Sequence, residues 1–260
     1  MIQDEVEIFL VSLQSDTSRR EKLEKEFPES YPQFKLISAV DGRLVSSKEY
    51  YDSVIKYYIN EGRLLSPSEL GCTLSHIKAL KEFLKTDKKF ALILEDDVQG
   101  DDEKIKTIIK ELSLLDSKSL LICGGQDGLR YRDFLYGKRV SNAEHYKLSK
   151  FSYEYTLRTC CYAVTRESAE TILKSHENYI READSWRHFF EKSPIEIYFT
   201  NKLAHPIDLA GSHIESDRAL FKSLPLWKKI LELKVFIRIY RTVKRHLISN
   251  ILRLSKFNKL

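Results

Sequence analysis

The sequence predicts an α/β fold, a mostly parallel sheet flanked by helices and followed by a basic helical tail. Short β-branched or apolar runs alternate with helical patterns through the first half of the chain, which is typical of βαβ units. The chain has 260 residues, of which 42% are hydrophobic and 31% charged. This length and composition indicate a globular protein with one large core rather than a disordered chain.

Four short runs in the first half are predicted strands, because each is apolar or β-branched and ends at polar or turn-forming residues. The predicted strands are 7–13, 34–40, 90–98 and 119–125. A helix is predicted from about Thr17, and further helical patterns separate the later strands. Parallel strands need such crossover connections, so the order of elements agrees with a mainly parallel sheet.

Two of the predicted helices flank the 90–98 strand. The first has complete start signals, because Ser66, Pro67 and Glu69 stand where an N-cap, a first-turn proline and a capping-box glutamate belong. The second begins with the acidic residues 101–103, which are favourable at the positive end of a helix dipole. Both carry an apolar stripe at helical spacing and are expected to pack against the strand.

The second half of the chain is less regular. Residues 127–155 are polar and aromatic without clear periodicity, and they are predicted to form long loops over an active face. Residues 205–217 are also predicted to be a loop. The regular segments between these two are a strand at 158–165, helices at 166–176 and 183–190, and a strand at 195–200.

Charge is divided unevenly between the body of the chain and its tail. From Phe221 to Leu260 there are eleven Lys and Arg residues against one acidic residue, although the whole chain carries only +5. The first 220 residues are therefore mildly acidic. We divide the chain into a main domain, 1–220, and a basic tail, 221–260.

Residues 226–254 of this tail are predicted to form a basic amphipathic helix, because apolar side chains recur along one face and Lys and Arg residues line another. The pattern is typical of a helix that lies on an anionic membrane surface, with Trp227 and Tyr240 at the interface. Nucleic-acid binding is the rival interpretation of the charge. No recognition fold or set of base-stacking aromatic residues accompanies it, so no nucleic-acid partner is expected.

No run of about 18 apolar residues occurs, so no transmembrane helix is predicted. Asp4, Glu5 and Glu7 precede the first apolar run, so no signal peptide is predicted either. We expect a cytoplasmic protein, peripheral on the inner face of the cytoplasmic membrane. The four cysteines show no Cys-x-x-Cys spacing. That arrangement suits reduced thiols better than a disulfide framework or a structural zinc site.

Three consecutive carboxylates, Glu95, Asp96 and Asp97, follow the apolar part of the 90–98 strand. Like charges this close repel one another unless a cation lies among them. In open α/β sheets, ligands bind outside the carboxyl ends of strands, where these residues lie. One interpretation is a divalent cation, Mg²⁺ or Mn²⁺, whose remaining ligands come from water and a diphosphate. The other is that Asp96 and Asp97 cap the next helix while Glu95 faces solvent.

Further motifs surround this strand in a fixed order. They are FLVSL with SRREKLEKEF behind it, SAVDG at 38–42, ELGCTLSHIKAL at 69–80 and ALILEDDV at 91–98. Each is weak alone, but the ordered set is specific. It resembles glycosyltransferase family 25, the lipopolysaccharide and lipooligosaccharide sugar transferases of Gram-negative bacteria, which also resemble the collagen galactosyltransferase domain. The resemblance is strong over 7–100 and looser as far as residue 217.

The resemblance implies a GT-A-like, Rossmann-type fold, a nucleotide-sugar donor that is most often UDP-galactose, and transfer with inversion at the anomeric carbon. It makes the three carboxylates the counterpart of the Asp-x-Asp motif of such enzymes. Asp97 would bind the metal directly, while Glu95 and Asp96 would contact the nucleotide or complete the metal's shell through water. The cation, Mn²⁺ or Mg²⁺, would neutralise charge on the departing diphosphate.

Four more residues are predicted to bind the donor. Ser12, Arg19 and Arg20 surround the loop after the first strand, and an arginine near a helix N-terminus suggests an anionic partner, a role assigned to Arg20. Ordinary ion pairs one turn apart are the alternative for Arg20. The resemblance places Ser75 and His76 near the donor. A partly buried structural histidine is the alternative for His76, and packing is the favoured role for Cys72.

Inverting transfer needs a base that takes the proton of the acceptor hydroxyl. Asp184 matches an aspartate in the family's second half and lies beside Trp186, an aromatic residue of the kind that stacks on sugars. Asp184 is therefore the predicted base, with Asp127 and Asp208 as competitors. A helix-capping aspartate is the alternative role for Asp184.

A late histidine often supplies a second protein ligand to such a metal, and the prediction names His213, with His205 as the alternative. The chain departs from the family pattern at two places nearby. Gly211 stands where relatives tend to carry glutamine, and RTCCY at 158–162 stands where a glycine-containing turn is more typical.

Together these features predict a metal-dependent, inverting glycosyltransferase that adds a hexose, with galactose from UDP-galactose as the leading assignment. The acceptor would be a lipid-linked or oligosaccharide glycan, such as a lipopolysaccharide or related surface glycan. One alternative is a capsule or O-antigen transferase that uses UDP-glucose or UDP-N-acetylhexosamine. The other is a non-catalytic sugar-nucleotide-binding protein that its tail recruits to the membrane.

Overall fold

The computed structural model describes residues 2–206, 234–255 and 257–260. The strands are β1 (Val6–Ser12), β2 (Phe34–Ser38), β3 (Phe90–Glu95), β4 (Ser119–Gly124), β5 (Tyr136–Arg139), β6 (Tyr146–Leu148), β7 (Cys161–Thr165), β8 (Glu196–Leu203) and β9 (Asn258–Lys259). The helices are α1 (Thr17–Glu26), α2 (Ser47–Glu61), α3 (Pro67–Leu84), α4 (Asp102–Leu112), α5 (Arg166–Asn178), α6 (Trp186–Phe190) and α7 (Lys234–Leu254).

All nine strands belong to one mixed sheet with the order β2-β1-β3-β7-β4-β8-β6-β5-β9. β1 pairs in parallel with β2 and β3, and β4 pairs in parallel with β8. β7 lies antiparallel between β3 and β4, so β1, β2, β3, β4 and β8 all point the same way. The predicted α/β class, with its mainly parallel sheet, is confirmed, and five strand ends meet at one edge.

The sheet is buried on both faces. Alternate residues of β1 enter different core clusters, Phe9 and Val11 on one side and Ile8 and Leu10 on the other. Residues of α3 and α5 cover the first side, and residues of α1 and α4 cover the second. Strands buried on both faces read as continuous apolar runs, which is why β1 and β3 stand out in the sequence.

The start of α3 is confirmed. The Ser66 hydroxyl accepts a hydrogen bond from the Glu69 N–H (3.2 Å), and the Glu69 carboxylate accepts one from the Ser66 N–H (2.8 Å). Pro67 occupies the first turn. The capping box fixes the first residue of this helix, and with it the register of every α3 side chain that reaches the cleft.

The prediction of long loops over 127–155 was wrong, because the segment contains β5 and β6. These strands are short, and their backbone groups pair with β8 and β9, which are remote in sequence. The predicted strand at 158–165 begins only at Cys161, since Arg158 has a positive φ of 67°. The helix predicted over 183–190 is likewise shorter and begins at Trp186.

The tail helix α7 packs against the body of the protein through one face. The Ser249 hydroxyl hydrogen-bonds with the Tyr136 hydroxyl, and β9 adds an antiparallel pair to β5. The Arg245 guanidinium lies 4.9, 5.0 and 5.7 Å from the centres of the rings of Tyr131, Phe134 and Tyr155. The structure describes the predicted helix at 226–254 only from residue 234 onward. The domain boundary predicted between 220 and 221 lies outside the described residues.

Gly42 and Gly71 let the loop after β2 approach α3 closely. A Cβ atom on Gly71 would lie 2.5 Å from the Val40 carbonyl oxygen and 2.5 Å from the Gly42 nitrogen. Because both contacts are with backbone, neither can be relieved by a rotamer change. This contact positions one wall of the cleft described below.

We predict that Gly71→Ala lowers the free energy of unfolding by about 2 kcal/mol, the usual cost of overpacking a rigid contact. Urea unfolding measures it. Gly62→Asn is the control, because Gly62 has a φ of 72° with open space around it and asparagine tolerates that conformation. Equal stability of Gly71→Ala and the wild type would contradict the close approach of loop and helix.

Candidate functional site

A cleft opens where β1, β2 and β3 end. Its walls come from the loop after β1, residues 39–43 after β2, the first half of α3, and residues 95–97 after β3. The predicted site residues that line it are Ser12, Ser75, His76, Glu95, Asp96 and Asp97. The parallel strands bring them together from distant parts of the sequence, at the edge where ligands bind in such sheets.

Glu95 is held by two partners. Its Oε1 lies 3.0 Å from His76 Nε2 and also accepts a hydrogen bond from the Thr159 hydroxyl. The other ring nitrogen of His76 lies 3.0 Å from the Tyr162 hydroxyl, and the ring is almost fully buried. Burial pulls the pKa of Glu95 upward, but His76 and Thr159 together hold it below its usual value. Glu95 is therefore a charged group fixed by α3 and the segment before β7.

These contacts test the helix-capping interpretation of the carboxylates, while the metal interpretation stays a prediction. Glu95 faces His76 rather than bulk solvent, and the N-cap of α4 is Asp101, whose side chain accepts from the Lys104 N–H. The alternative in which Asp96 and Asp97 cap the next helix is therefore wrong. Asp101, four residues after Asp97, caps α4 in their place.

Cys72, His76 and Glu95 form a compact group in which one potential ligand atom from each lies within 4.8 Å of the others. The Cys72 sulfur lies 3.9 Å from the Thr159 hydroxyl. His76 and Glu95 already bond to each other. The Glu95 carboxylate is thus bonded by His76 and Thr159, and Cys72 lies against Thr159.

Asp96 is 8% exposed and contacts Arg19, whose Nη1 lies 2.9 Å from Asp96 Oδ1. Burial raises the pKa of Asp96, although hydrogen bonds from Ser12 and Arg19 oppose the rise. The same Arg19 nitrogen lies 3.8 Å from Asp97 Oδ2. Arg19 is thus the arginine that the fold brings to the carboxylates.

Arg20, which the sequence analysis favoured, holds the loop after β1. Its guanidinium donates to the Ser12 hydroxyl (2.8 Å) and to the carbonyl oxygens of Leu13 (2.5 Å) and Gln14 (3.0 Å). Successive helical positions point about 100° apart, so only one of two adjacent arginines can face the cleft. The contact predicted between Arg20 and the donor stays a prediction.

Ser75 joins α3 to the loop after β2. Its hydroxyl donates to the Gly71 carbonyl oxygen (2.6 Å) and accepts from the Val40 N–H (2.8 Å). These bonds explain why a small polar residue is needed at this position. They place Ser75 in the cleft wall, and its contact with a donor remains a prediction.

Asp97 differs from Glu95 and Asp96 in one respect. Its Oδ1 is buried and makes no hydrogen bond in the described part of the chain, whereas neither of the other two has such an oxygen. Its Oδ2 lies 3.4 Å from His205 Nε2. Burial lowers the pKa of His205, but the Asp97 carboxylate outweighs burial and raises it. An unsatisfied carboxylate oxygen beside an imidazole nitrogen is a donor set that fits a divalent cation.

Backbone pairing explains how His205 reaches Asp97. Gln99 and Ala204 exchange two hydrogen bonds of 2.9 Å, which join the end of β8 to the segment after β3. The predicted strand at 195–200 was the sequence signal that could have placed His205 near Asp97, since the end of this strand lies at the same edge of the sheet. His213 and Asp208 lie outside the described residues, so the predictions for them stay predictions.

Asp184 contacts the segment that supports Glu95. Its Oδ2 accepts a hydrogen bond from the Arg158 N–H (2.8 Å), and the next residue, Thr159, bonds to Glu95. Trp186 is 1% exposed and packs edge-on against Tyr162, with ring centres 5.2 Å apart. The expectation that Trp186 stacks on a sugar was therefore wrong, because the core buries it.

Comparison with known proteins assigns the family. The model of glycosyltransferase family 25, described as an LPS biosynthesis protein family, matches residues 5–186. The chain belongs to glycosyltransferase family 25. The matched region contains the whole cleft except His205.

The related proteins include procollagen galactosyltransferase 2 of Mus musculus, which is 26% identical over 175 residues. That alignment covers 64% of this chain and 27% of the mouse protein. Procollagen galactosyltransferase 1-B of Xenopus laevis is 28% identical over 116 residues, 42% of this chain and 19% of that protein. The chain thus matches about a quarter or less of the length of these relatives.

Among solved structures, the mannose-1-phosphate geranyltransferase of Thermus thermophilus aligns with a TM-score of 0.41 and 13% identity. The alignment covers 78% of this chain and 75% of that one. A likeness this distant says nothing about substrate or mechanism.

We predict that His76 and Glu95 are energetically coupled, because each loses a buried hydrogen-bond partner when the other is replaced. A double-mutant cycle with His76→Ala and Glu95→Gln, measured by urea unfolding, should give a coupling free energy of at least about 1 kcal/mol. Lys48 and Asp52 form the control pair, because both are well exposed and should couple by less than about 0.5 kcal/mol. Equal coupling in the two pairs would contradict a supporting role for His76.

Proposed function

We propose that the protein is a metal-dependent glycosyltransferase that transfers a hexose from a nucleotide sugar to a surface glycan, with inversion at the anomeric carbon. One observation carries the proposal: Asp97 presents a buried, unsatisfied carboxylate oxygen beside His205 at the edge of the sheet where β3 ends. Membership of family 25 supports glycosyl transfer. The names of the procollagen galactosyltransferase relatives favour galactose, from UDP-galactose.

In this proposal Asp97 and His205 hold the cation, Mn²⁺ or Mg²⁺, and His213 stays a candidate for the same role. When bound, the cation neutralises the charge that develops on the departing diphosphate. Arg19 supplies a permanent positive charge beside the same carboxylates. Glu95 and Asp96 are engaged by protein partners, so we assign them to supporting the donor site rather than to direct metal binding.

We propose that Asp184 is the base that takes the proton from the acceptor hydroxyl. One of its oxygens receives the Arg158 N–H, which fixes the carboxylate relative to the segment that carries Thr159. The competitor Asp127 is paired with Arg132 at 2.5 Å. Asp127 stays the competitor for this role, and the substitutions below compare the two residues.

We further propose that α7 attaches the protein to an anionic membrane, where a lipid-linked acceptor would be found. Opposite the face that contacts the body, five large apolar side chains, each more than half exposed, form a stripe: Tyr240, Val243, Leu247, Ile251 and Leu254. Arg241 and Lys244 are exposed beside this stripe, and no acidic residue occurs in α7. None of the described helices is suited to crossing a bilayer. Apolar insertion flanked by cations is the chemistry of an interfacial helix.

The first prediction concerns metal and donor. The wild-type protein should hydrolyse a UDP-hexose slowly in the presence of Mn²⁺, and Asp97→Ala should reduce this rate at least about 100-fold, in line with losing a main electrostatic group. Asp101→Ala is the control, because Asp101 caps α4 outside the cleft and the variant should keep the wild-type rate. Product formation is followed by nucleotide chromatography over a panel of UDP-sugars.

The outcomes of this assay separate the alternatives. Preference for UDP-glucose or UDP-N-acetylhexosamine would move the assignment to the capsule or O-antigen class. Donor binding without any turnover would favour the non-catalytic binding protein. Metal-independent turnover that survives in Asp97→Ala would contradict the proposed metal site.

For the base, Asp184→Asn should lower kcat at least about 100-fold, the usual contribution of a general base, while the KM for the donor changes less than about threefold. Steady-state transfer to the acceptor measures both constants. Asp127→Asn serves as the comparison and should stay within about threefold of the wild-type kcat. Full activity of Asp184→Asn would remove Asp184 from the mechanism.

For the membrane, the protein should bind vesicles that contain phosphatidylglycerol and not vesicles of phosphatidylcholine alone. Leu247→Glu should weaken binding at least about tenfold, because it places a charge in the apolar stripe. Leu114→Glu is the matched control, since Leu114 is similarly exposed outside α7. Co-sedimentation measures binding, and equal effects of the two substitutions would exclude the stripe as the membrane-binding face.

A further inference from the structure

Arg158 has a backbone conformation that arginine rarely adopts. Its φ is 67°, in the left-handed region, and the other described non-glycine residue with positive φ is Asn142, a type that tolerates this conformation. Side chains held in such a region cost free energy and are found where they serve a function. The backbone would favour glycine at this position, so the side chain of Arg158 is the feature to explain.

The guanidinium of Arg158 lies over the turn after β4. Its Nη1 donates to the carbonyl oxygens of Gly125 (2.7 Å) and Asp127 (3.1 Å). A Cβ atom built on Gly125 would lie 3.8 Å from the Cβ of His205, so this turn borders the histidine that contacts Asp97. Arg158 is therefore a cation bonded to the turn that borders His205, one of the candidate metal ligands.

No carboxylate among the described residues lies within 4.0 Å of the Arg158 guanidinium, although the side chain is half-buried. The nearest acidic residues are engaged elsewhere. Asp184 accepts the Arg158 backbone N–H, and Asp127 pairs with Arg132. A partly desolvated guanidinium normally has an anionic partner, and its planar fork suits phosphate.

We propose that Arg158 binds the sugar-bearing phosphate of the donor and stabilises it as the leaving group. The inference rests on the proposed function. In the transfer, the acceptor oxygen bonds to the anomeric carbon, its proton passes to the base, and the electron pair of the broken carbon–oxygen bond leaves with the diphosphate. Negative charge thus grows on the β-phosphate. Nη1 donates to two carbonyl oxygens, while Nε and Nη2 have no partner within 2–206 or the described tail and can donate to the phosphate.

This role accounts for an arginine at a position that suits glycine. The two carbonyl bonds orient the guanidinium and hold it on the turn that borders His205. A glycine or asparagine would relax the backbone but remove the charge. The same substitution should therefore weaken phosphate binding without lowering the stability of the fold.

The test compares UDP with UMP, which lacks the β-phosphate, by isothermal titration calorimetry on the full chain with Mg²⁺ present. Arg158→Asn keeps a residue that tolerates positive φ, so its melting temperature should stay within about 2 °C of the wild type. Its affinity for UDP should fall at least tenfold, while its affinity for UMP should change less than threefold. Arg158→Lys should recover part of the affinity for UDP.

Arg132→Asn is the matched control, since it removes the same charge from a neighbouring arginine that is already paired with Asp127. It should leave both affinities within threefold. Unchanged UDP affinity in Arg158→Asn would overturn the proposal. Equal losses for UDP and UMP, or equal losses in the two variants, would overturn it too. If the wild-type protein binds neither nucleotide, the proposed function fails first.

Discussion

Mutual repulsion among three adjacent carboxylates at the end of β3 is the constraint around which the cleft is built. The fold meets it by surrounding the carboxylates with cationic or hydrogen-bonding partners from several elements. Glu95 is held by His76 of α3 and by Thr159 before β7. Asp96 is held by Arg19 of α1 and Ser12 of β1, and Asp97 lies near Arg19 and His205. Strands that end at one edge make this convergence possible.

These partners give the three carboxylates different roles. Glu95 and Asp96 are largely satisfied by the protein, so they fix the shape and charge of the cleft. Asp97 keeps one buried oxygen without a hydrogen bond, and a buried unsatisfied acceptor is costly unless a ligand completes it. A bound cation would complete it, which links the electrostatics of the cleft to the proposed transfer chemistry. Arg158 is the complementary case, because the phosphate of the bound donor would supply the anionic partner of its guanidinium.

The sequence predicted features that depend on local signals. The capping box placed the start of α3, the buried runs placed β1 and β3, and the cluster of carboxylates marked the edge of the sheet that carries the cleft. Features that depend on long-range pairing were missed. The β5–β6 hairpin is held by β8 and β9, and adjacent arginines could not be told apart until the rotation of α1 placed Arg19 on the carboxylates. The sequence suggested that Trp186 stacks on a sugar. The ring is instead buried against Tyr162 of β7, a contact that the sequence does not reveal. The positive φ of Arg158 has no sequence signature.

The central claim is that Asp97 binds a cation that holds the donor's diphosphate. Anomalous X-ray diffraction from crystals grown with Mn²⁺ and UDP tests it most directly, because it locates the metal independently of activity. The account predicts one strong manganese peak within about 2.3 Å of the free Asp97 oxygen, with phosphate oxygens completing the shell. A peak among Cys72, His76 and Glu95 instead, or a diphosphate bound with no metal at Asp97, would contradict it.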